Sequence, residues 1–216
     1  MQRLCDEIDV DPSDVLMLVF AWCLGASQMG YFSREEWLSG VPKVGSVTSE
    51  AELKERVQEL HKSTLRDSDA LRELHQFAHK FCREERKKNI DVRPARGPLA
   101  RGPLAPPSAL RAVPNLLRRT PRPRHGEQVG SAQIMLTLLL KPLYREHIEG
   151  ISKFLEQHKE CAKRGVSMDE WTMLLQFCRE IAPDCANFAD DGAWPLLLDD
   201  YVEWRREGEG GASEKS

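Results

Sequence analysis

The sequence predicts an all-α fold, a compact multi-helix domain that is interrupted by one insertion without regular structure. Apolar residues recur with the 3.6-residue period of a helix along most of the chain, and no segment shows the period-two alternation of a strand. Capping patterns also precede several of the periodic segments. Hydrophobic residues make up 41% and charged residues 30% of the 216 residues, an ordinary composition for one sizeable globular core.

The first strong helix is predicted to begin at Asp11-Pro12, a capping side chain followed by a proline at the first helical position. Gly25 and Gly30 are expected to end it. The helix is apolar nearly all round, whereas a surface helix needs only one apolar stripe. We therefore expect it to be buried on both sides or to keep one side for a partner. Its two stripes are Val15, Leu18, Val19 and Trp22, and Met17, Phe20, Ala21 and Leu24.

Three further helices are predicted before the insertion. Ser33 and Glu36 form a capping box that starts a short helix ending at Gly40. Ser49 and Glu52 have the same spacing and precede a second apolar stripe. The third helix is predicted to run out in the charged segment 83–88, and its apolar positions are Leu71, Leu74, Phe77, Ala78 and Phe81.

The segment 93–130 differs in composition from the rest of the chain. It holds eight of the thirteen prolines, and its eight Arg against a single acid, Glu127, give it a net charge of +7. Since the whole chain carries −3, the remainder carries −10. Proline lacks a backbone donor and glycine costs extra conformational entropy, so the segment is predicted to be a disordered Arg/Pro/Gly-rich insertion.

Helical periodicity returns after the insertion. Ser131 is expected to cap a helix over 132–140, and Pro142 separates it from a helix that carries Tyr144, Ile148, Ile151 and Leu155. Ser167 and Glu170 form another capping box, and Pro183 ends the helix that it opens. A last helix is predicted to begin near Trp194-Pro195. The expected organisation is thus a helical part over 1–92, the insertion over 93–130, a second helical part over 131–206 and a disordered tail over 207–216.

The sequence lacks features that are typical of membrane-spanning and secreted proteins. The longest apolar run, 15–24, is half of the ~20 residues that a bilayer span needs. Residues 1–7 contain no apolar signal core, which disfavours secretion. The six Cys include no Cys-x-x-Cys pair, so reduced thiols and a cytoplasmic or nuclear location are expected.

Three groups of residues could form a metal or catalytic site, but a structural explanation is favoured for each. His75, His79 and Cys82 share a helical face, but zinc generally takes four ligands, so a solvated face is favoured over a metal site. The acidic loop 184–192 lacks the alternate-position spacing of calcium ligands, so we expect EF-hand-like helix pairs without ions. Cys161 near His158 lacks an orienting acid and is interpreted as a surface pair. No catalytic residue, metal or cofactor is predicted.

Two stretches of the sequence resemble a known family. The first comprises Asp11-Pro-Ser-Asp-Val-Leu-Met-Leu-Val-Phe-Ala-Trp22 and Met29-Gly-Tyr-Phe-Ser-Arg-Glu-Glu-Trp37. The second comprises Asp169-Glu-Trp171 and Asp191-Gly-Ala-Trp-Pro-Leu-Leu-Leu-Asp-Asp-Tyr-Val-Glu-Trp204. Together they resemble the potentiating-neddylation (DCUN1) domain of the defective-in-cullin-neddylation family. The resemblance covers residues 1–92 and 131–206 and implies a chain that starts inside the family's first EF-hand-like helix.

The resemblance implies a scaffold ligase without catalytic residues of its own. Such a protein holds a cullin and the neddylation conjugating enzyme together, promotes cullin neddylation and so activates cullin-RING ubiquitin ligases; proximity alone can supply the catalysis. The family's acidic-alanine-acidic patch binds the cullin C-terminal winged-helix domain. By motif position that patch corresponds here to Asp169, Ala193 and Asp199.

The family also has an apolar pocket that takes the acetylated N-terminal Met of the conjugating enzyme, whose tail docks as a helix. The matching positions are Met17, Phe20, Ala21, Phe32, Phe81, Met135 and Leu138. Without the resemblance, all seven would be interpreted as core residues.

A second function from a different class is nucleic-acid binding through the Arg-rich insertion. Clustered Arg attracts phosphate, but 93–130 contains no aromatic residue on which bases could stack. This alternative therefore predicts only a nonspecific and strongly salt-dependent interaction.

Overall fold

The computed structural model describes residues 2–83, 87–92, 131–189 and 193–213. Within these ranges the chain is helical, which confirms the all-α prediction; the predicted insertion, 93–130, lies outside the described residues. None of the described helices is both long and apolar enough to cross a membrane. The helices are α1 (Gln2–Glu7), α2 (Val15–Leu24), α3 (Arg34–Val44), α4 (Glu50–Arg66), α5 (Ser68–Cys82), α6 (Ser131–Leu139), α7 (Arg145–Gln157), α8 (Lys159–Arg164), α9 (Met168–Glu180) and α10 (Leu196–Ser213).

The start of α2 differs from the prediction. Asp14, not Asp11, is the N-cap, and its carboxylate accepts a hydrogen bond from Leu16 N at 2.8 Å. Asp11 instead closes the preceding turn, where its carboxylate accepts from Ser13 N at 2.8 Å and its carbonyl from Asp14 N at 2.9 Å. Gly25 ends the helix as predicted, with a φ of 66° that favours glycine.

The capping box of α3 is confirmed, since Ser33 and Glu36 exchange the two expected hydrogen bonds. The helix nevertheless continues past Gly40 and Pro42 to Val44, because Gly45 N still donates to Val41 O at 3.2 Å. Gly40 has a packing role instead: a Cβ there would lie 2.3 Å from Leu24 Cα. The absence of a side chain at this position lets α3 lie directly against α2.

The two parts of the chain that flank the insertion contact each other next to α6. Asp91 O accepts a hydrogen bond from Ala132 N at 2.9 Å, so the end of the first part is in direct contact with α6. Ile90 also pairs with Val166 as an isolated antiparallel bridge. We call this meeting point, Ile90–Val92 with the start of α6, the joint; Ile90, Val92 and Ala132 are all buried there.

Helices α7, α9 and α10 pack through a cluster of aromatic rings. The ring of Phe177 lies 5.9 Å from that of Tyr201 and 5.6 Å from that of Trp194, both edge-on. Phe154 contacts Tyr201 at 5.7 Å. Gly150 leaves room for this cluster, because a Cβ there would lie 2.5 Å from the Tyr201 hydroxyl oxygen.

Two boundaries in the second part differ from the prediction. Helix α6 includes Ser131 as its first residue rather than following it as a cap. Helix α10 continues through 207–213, where a disordered tail is expected, although Gly208, Gly210 and Gly211 are poor helix formers. Residues 214–216 lie outside the described residues.

Candidate functional site

An open apolar cleft of about 350 Å³ lies where α2, the loop after it, α5 and α6 meet. Four of the seven residues that the sequence assigns to the acetyl-Met pocket line it. These are Met17 from α2, Phe81 from α5, and Met135 and Leu138 from α6. The other lining residues are Pro12, Ser13, Asp14, Leu18, Met29, Cys82 and Ile134.

The remaining three pocket residues do not line the cleft: Phe20 and Ala21 belong to α2, and Phe32 lies in the loop before α3. Phe20 and Ala21 are buried. The Phe20 ring packs edge-on against Phe32 at 5.7 Å and against Trp37 at 5.8 Å. Met17 and Phe20 therefore have different surroundings although they belong to the same apolar stripe of α2: Phe20 packs against aromatic rings, whereas Met17 lines the cleft. Sequence periodicity alone could not separate the two positions, because they lie one helical turn apart on the same stripe.

The cleft has almost no polar lining. Its polar side chains are Ser13 and Asp14 at the start of α2, and the Asp14 carboxylate is already bonded to Leu16 N. Burial raises the pKa of the Cys82 thiol to about 12, so this group is neutral at physiological pH. An uncharged apolar group is therefore the ligand chemistry that this cleft accommodates.

Asp169 is exposed in the first turn of α9. Its neighbour Glu170 turns the other way: it is buried, completes the capping box with Ser167, and forms a 2.6 Å ion pair with Arg164. The capping box thus fixes the helix start and leaves the Asp169 carboxylate facing outward. Asp169 lines a shallow groove between α5 and α9 together with Gln76, Lys80, Met168, Thr172 and Met173.

Asp199 lies in the first turn of α10 and is half-buried. It lines a second depression, with Asp200 and Glu203 among its neighbours, so the structure places Asp169 and Asp199 in separate grooves. Ala193 is exposed just before α10. All three predicted cullin-binding residues are thus accessible at or near the starts of α9 and α10, two helices that pack together through Phe177 and Tyr201.

The predicted solvated face of α5 is wrong, because His75, His79 and Cys82 are all buried. The His75 ring stacks on Trp171 at 4.4 Å, and Trp171 Nε1 donates to His75 O at 2.7 Å. Burial lowers the pKa of His75 to about 3, so its ring is neutral. His79 Nε2 donates to Val166 O at 3.0 Å. The two histidines hold α5 against α9 and its N-terminal loop.

Packing also bears on two other interpretations of the sequence. Cys161 is buried rather than part of a surface pair, and His158 packs its ring on Phe154 at 4.3 Å. In the acidic loop, Asn187 Oδ1 accepts from Ala182 N at 2.7 Å, so the side chain closes the end of α9. Residues 190–192 of this loop are outside the described ranges. Within those ranges, no group of three or more His, Cys, Asp or Glu could hold a metal.

Taken together, the fold and these surfaces define a helical binding module with an apolar cleft and accessible acids at two helix starts. The sequence model of the family described as Cullin binding matches residues 119–204, a range that includes Asp169, Ala193 and Asp199. DCN1-like protein 5 of Rattus norvegicus is 31% identical over 209 residues, which cover 95% of this chain and 69% of that protein. The chain belongs to the DCN1-like family.

Two further relatives differ in length from this chain. DCN1-like protein 4 of Homo sapiens is 31% identical over 207 residues, covering 96% of this chain and 56% of the human protein. DCN1-like protein 4 of Drosophila melanogaster is 30% identical over 209 residues, covering 95% of this chain and 66% of the fly protein. The chain therefore spans between about half and about two thirds of the length of these two relatives.

Proposed function

We propose that this protein is a scaffold-type neddylation ligase. It binds a cullin through Asp169, Ala193 and Asp199, binds the acetylated N-terminus of the neddylation conjugating enzyme in the apolar cleft, and so promotes cullin neddylation. The observation that carries the proposal is the presence, in one small helical domain of this family, of two surfaces with opposite chemistry. One is apolar and concave, and the other presents accessible acids at two helix starts.

The acidic surface suits a basic partner. Outside 93–130 the chain carries a net charge of −10, which accelerates encounter with a positively charged cullin surface and makes that encounter sensitive to salt. Asp169 and Asp199 stand in the first turns of their helices, positions at which acidic residues are favoured. Ala193, with its small side chain, leaves room for close approach of the partner backbone.

The cleft suits an acetylated methionine rather than a free one. Met is flexible and polarisable and fills irregular apolar clefts such as the one lined by Met17, Phe81 and Met135. A free terminal ammonium would lose its water in this largely apolar cleft, which is costly. Acetylation removes the charge.

Such a scaffold acts by proximity and needs no nucleophile of its own. The six cysteines of this chain are buried, and burial raises the thiol pKa of Cys178 to about 12. They are therefore poorly suited to nucleophilic attack. The nucleic-acid alternative depends on 93–130, outside the described residues, and no described feature favours it.

A binding and turnover experiment tests the proposal. Asp199→Arg should weaken cullin binding at least tenfold, about 1.4 kcal/mol, and slow cullin neddylation in a reconstituted assay with purified conjugating enzyme. Glu55→Arg, a charge reversal of an exposed acid on α4 away from both surfaces, is the matched control and should leave both readouts unchanged. Circular dichroism should show equal helicity for the two variants. Wild-type affinity and neddylation rate in Asp199→Arg would contradict the assigned cullin surface.

A further inference from the structure

Glu170, which follows Asp169 in the first turn of α9, is a buried carboxylate held by hydrogen bonds from two sides. It is only 6% exposed. Its Oε2 accepts from Ser167 N at 2.9 Å, and Glu170 N donates to Ser167 Oγ at 3.2 Å, which completes the capping box. Its Oε1 accepts from Arg164 Nη2 at 2.6 Å. A charge buried to this degree is stable only while its partner is present, so Arg164 keeps the Glu170 carboxylate in place.

The backbone of Arg164 is held by residues at and next to the joint. Asn89 Nδ2 donates to Arg164 O at 2.8 Å. Ile90 and Val166 exchange two backbone hydrogen bonds, of 2.9 and 3.0 Å. Gly165 permits this close approach, because a Cβ there would lie 2.6 Å from Ile90 O. The Arg164 side chain therefore extends from a fixed backbone when it reaches the capping box of α9.

The same region adjoins the start of α10. Cys161, one turn before Arg164, is buried. Its thiol pKa is raised first by burial and then by the Asp200 carboxylate, whereas the Arg164 guanidinium lowers it. Asp200 directly follows Asp199 in the sequence. Helix α8 thus lies close to both of the helix starts that carry the predicted cullin-binding acids.

We propose that Arg164 is a positioning residue of the cullin surface. Its ion pair with Glu170 fixes the first turn of α9 and so holds the Asp169 carboxylate in the orientation that the cullin binds. The inference rests on the proposed function, and Arg164 acts through Asp169 rather than by contact with the cullin. Without Arg164, the Glu170 carboxylate turns outward to recover its hydration, and the first turn of α9 loses its capping box.

Long-range electrostatics predicts the opposite effect of removing this cation. The proposed cullin partner is basic, and a positive charge two turns or less from Asp169 repels it. A variant without that charge would therefore associate faster and bind more tightly if charge alone mattered. Because positioning and electrostatics predict changes of opposite sign, the direction of the change distinguishes them.

Two variants that each remove one positive charge from the end of α8 test the inference. Arg164→Met should weaken cullin binding about fivefold. Lys163→Met is the matched control, because Lys163 pairs with Glu160 at 2.7 Å on the surface, where both side chains are largely exposed. It should bind the cullin at least as tightly as the wild type. Arg164→Lys should bind within about twofold of the wild type, since one donor suffices for the single contact to Glu170.

A double-mutant cycle with Asp169 separates positioning from a role in stability alone. Asp169→Ala should weaken cullin binding about tenfold, and adding Arg164→Met should weaken it no further, because the group that Arg164 positions is already absent. A role in stability alone would lower the melting temperature and leave the affinity of the folded protein unchanged. Glu170→Gln keeps a side chain that can complete the capping box but removes the ion pair. It should reproduce the loss of Arg164→Met, and it replaces that variant if Arg164→Met does not fold.

Three results would overturn the inference while Asp169→Ala still weakens binding and the proposed function stands. The first is wild-type affinity in Glu170→Gln and in folded Arg164→Met. The second is an equal change in Arg164→Met and Lys163→Met. The third is full additivity of Arg164→Met and Asp169→Ala, which would show that Arg164 contributes independently of Asp169. Wild-type affinity in Asp169→Ala would instead contradict the assigned cullin surface and with it the inference.

Discussion

The α2–α3 region and the α7–α9–α10 region both pack aromatic rings edge-on, but only one of them encloses its rings. In the first, Phe20 is buried while its partner Trp37 remains 37% exposed. In the second, Phe154, Phe177 and Tyr201 are almost completely buried. The first region leaves apolar surface exposed, whereas the second encloses its aromatic cluster and presents acids at its helix starts. One small domain thereby carries two surfaces of different chemistry.

The largest expected effect is the difference in stability between replacing the buried Trp171 and replacing the partly exposed Trp37. Trp171 is completely buried, stacks on His75 and donates to His75 O at 2.7 Å. Trp171→Ala should therefore lower the free energy of unfolding by about 4 kcal/mol. Trp37→Ala should cost only about 1 kcal/mol, since part of its ring is already in water. Urea unfolding followed by far-UV circular dichroism measures both; equal losses would erase the distinction between the two regions.

The helical fold was predictable because local signals agree with it. The capping boxes at Ser33 and Ser167 and the left-handed end at Gly25 are all observed. These motifs act within a few residues, so a single sequence contains them. The choice between Asp11 and Asp14 was harder, since both side chains can cap a turn and only hydrogen-bond geometry separates them.

The burial of α5 was not predictable from residue type. Two histidines and a cysteine on one face are typical of solvent or of a metal, yet Trp171 and Val166 cover them from the other end of the chain. The same limitation applies to the cleft. Met17 and Phe20 are apolar residues one turn apart on the same stripe of α2. Only the placement of α3 and α6 distinguishes the surroundings of the two side chains.

The second largest effect concerns the joint, where the chain before the insertion meets the start of α6. Because Asp91 O already accepts from Ala132 N at 2.9 Å, linking Val92 directly to Ser131 would leave the hydrogen bond of a four-residue β-turn in place. Deleting 93–130 should then keep or raise the melting temperature, with a gain of at most about 2 kcal/mol from closing a shorter loop. Differential scanning calorimetry measures the change. A deletion variant that unfolds would show that the core depends on the insertion.

The smallest of the three effects depends on pH and tests the burial of His75 at the α5–α9 contact. His75 is neutral in the fold, with a pKa near 3 caused first by burial and further by the charges of His79 and Arg179. In the unfolded chain its pKa is about 6.5, so the unfolded state binds the extra proton and stability falls as the pH drops below 6.5. Between pH 6.5 and 5, His75 alone should cost about 1.5 kcal/mol.

His75→Phe keeps a ring against Trp171 and removes the titrating nitrogens, so the decline in stability over this pH range should become shallower. Urea midpoints at pH 6.5 and 5 measure it. An unchanged decline in the variant would show that His75 is already protonated in the fold or that other groups dominate. Comparison above pH 5 is informative because Glu36 and Glu52, whose carboxyl pKa values are lowered by hydrogen bonds from Ser33 and Thr48 respectively, titrate only at lower pH.

The rates at which the six buried cysteines can be alkylated report how readily the fold opens around each of them. The cysteines are distributed over most of the chain, and burial raises the pKa of the Cys5, Cys23 and Cys161 thiols as well as those of Cys82 and Cys178. A buried neutral thiol reacts with an alkylating reagent only when its surroundings open. The order in which the six are modified therefore reports which helices separate first, without any engineered label.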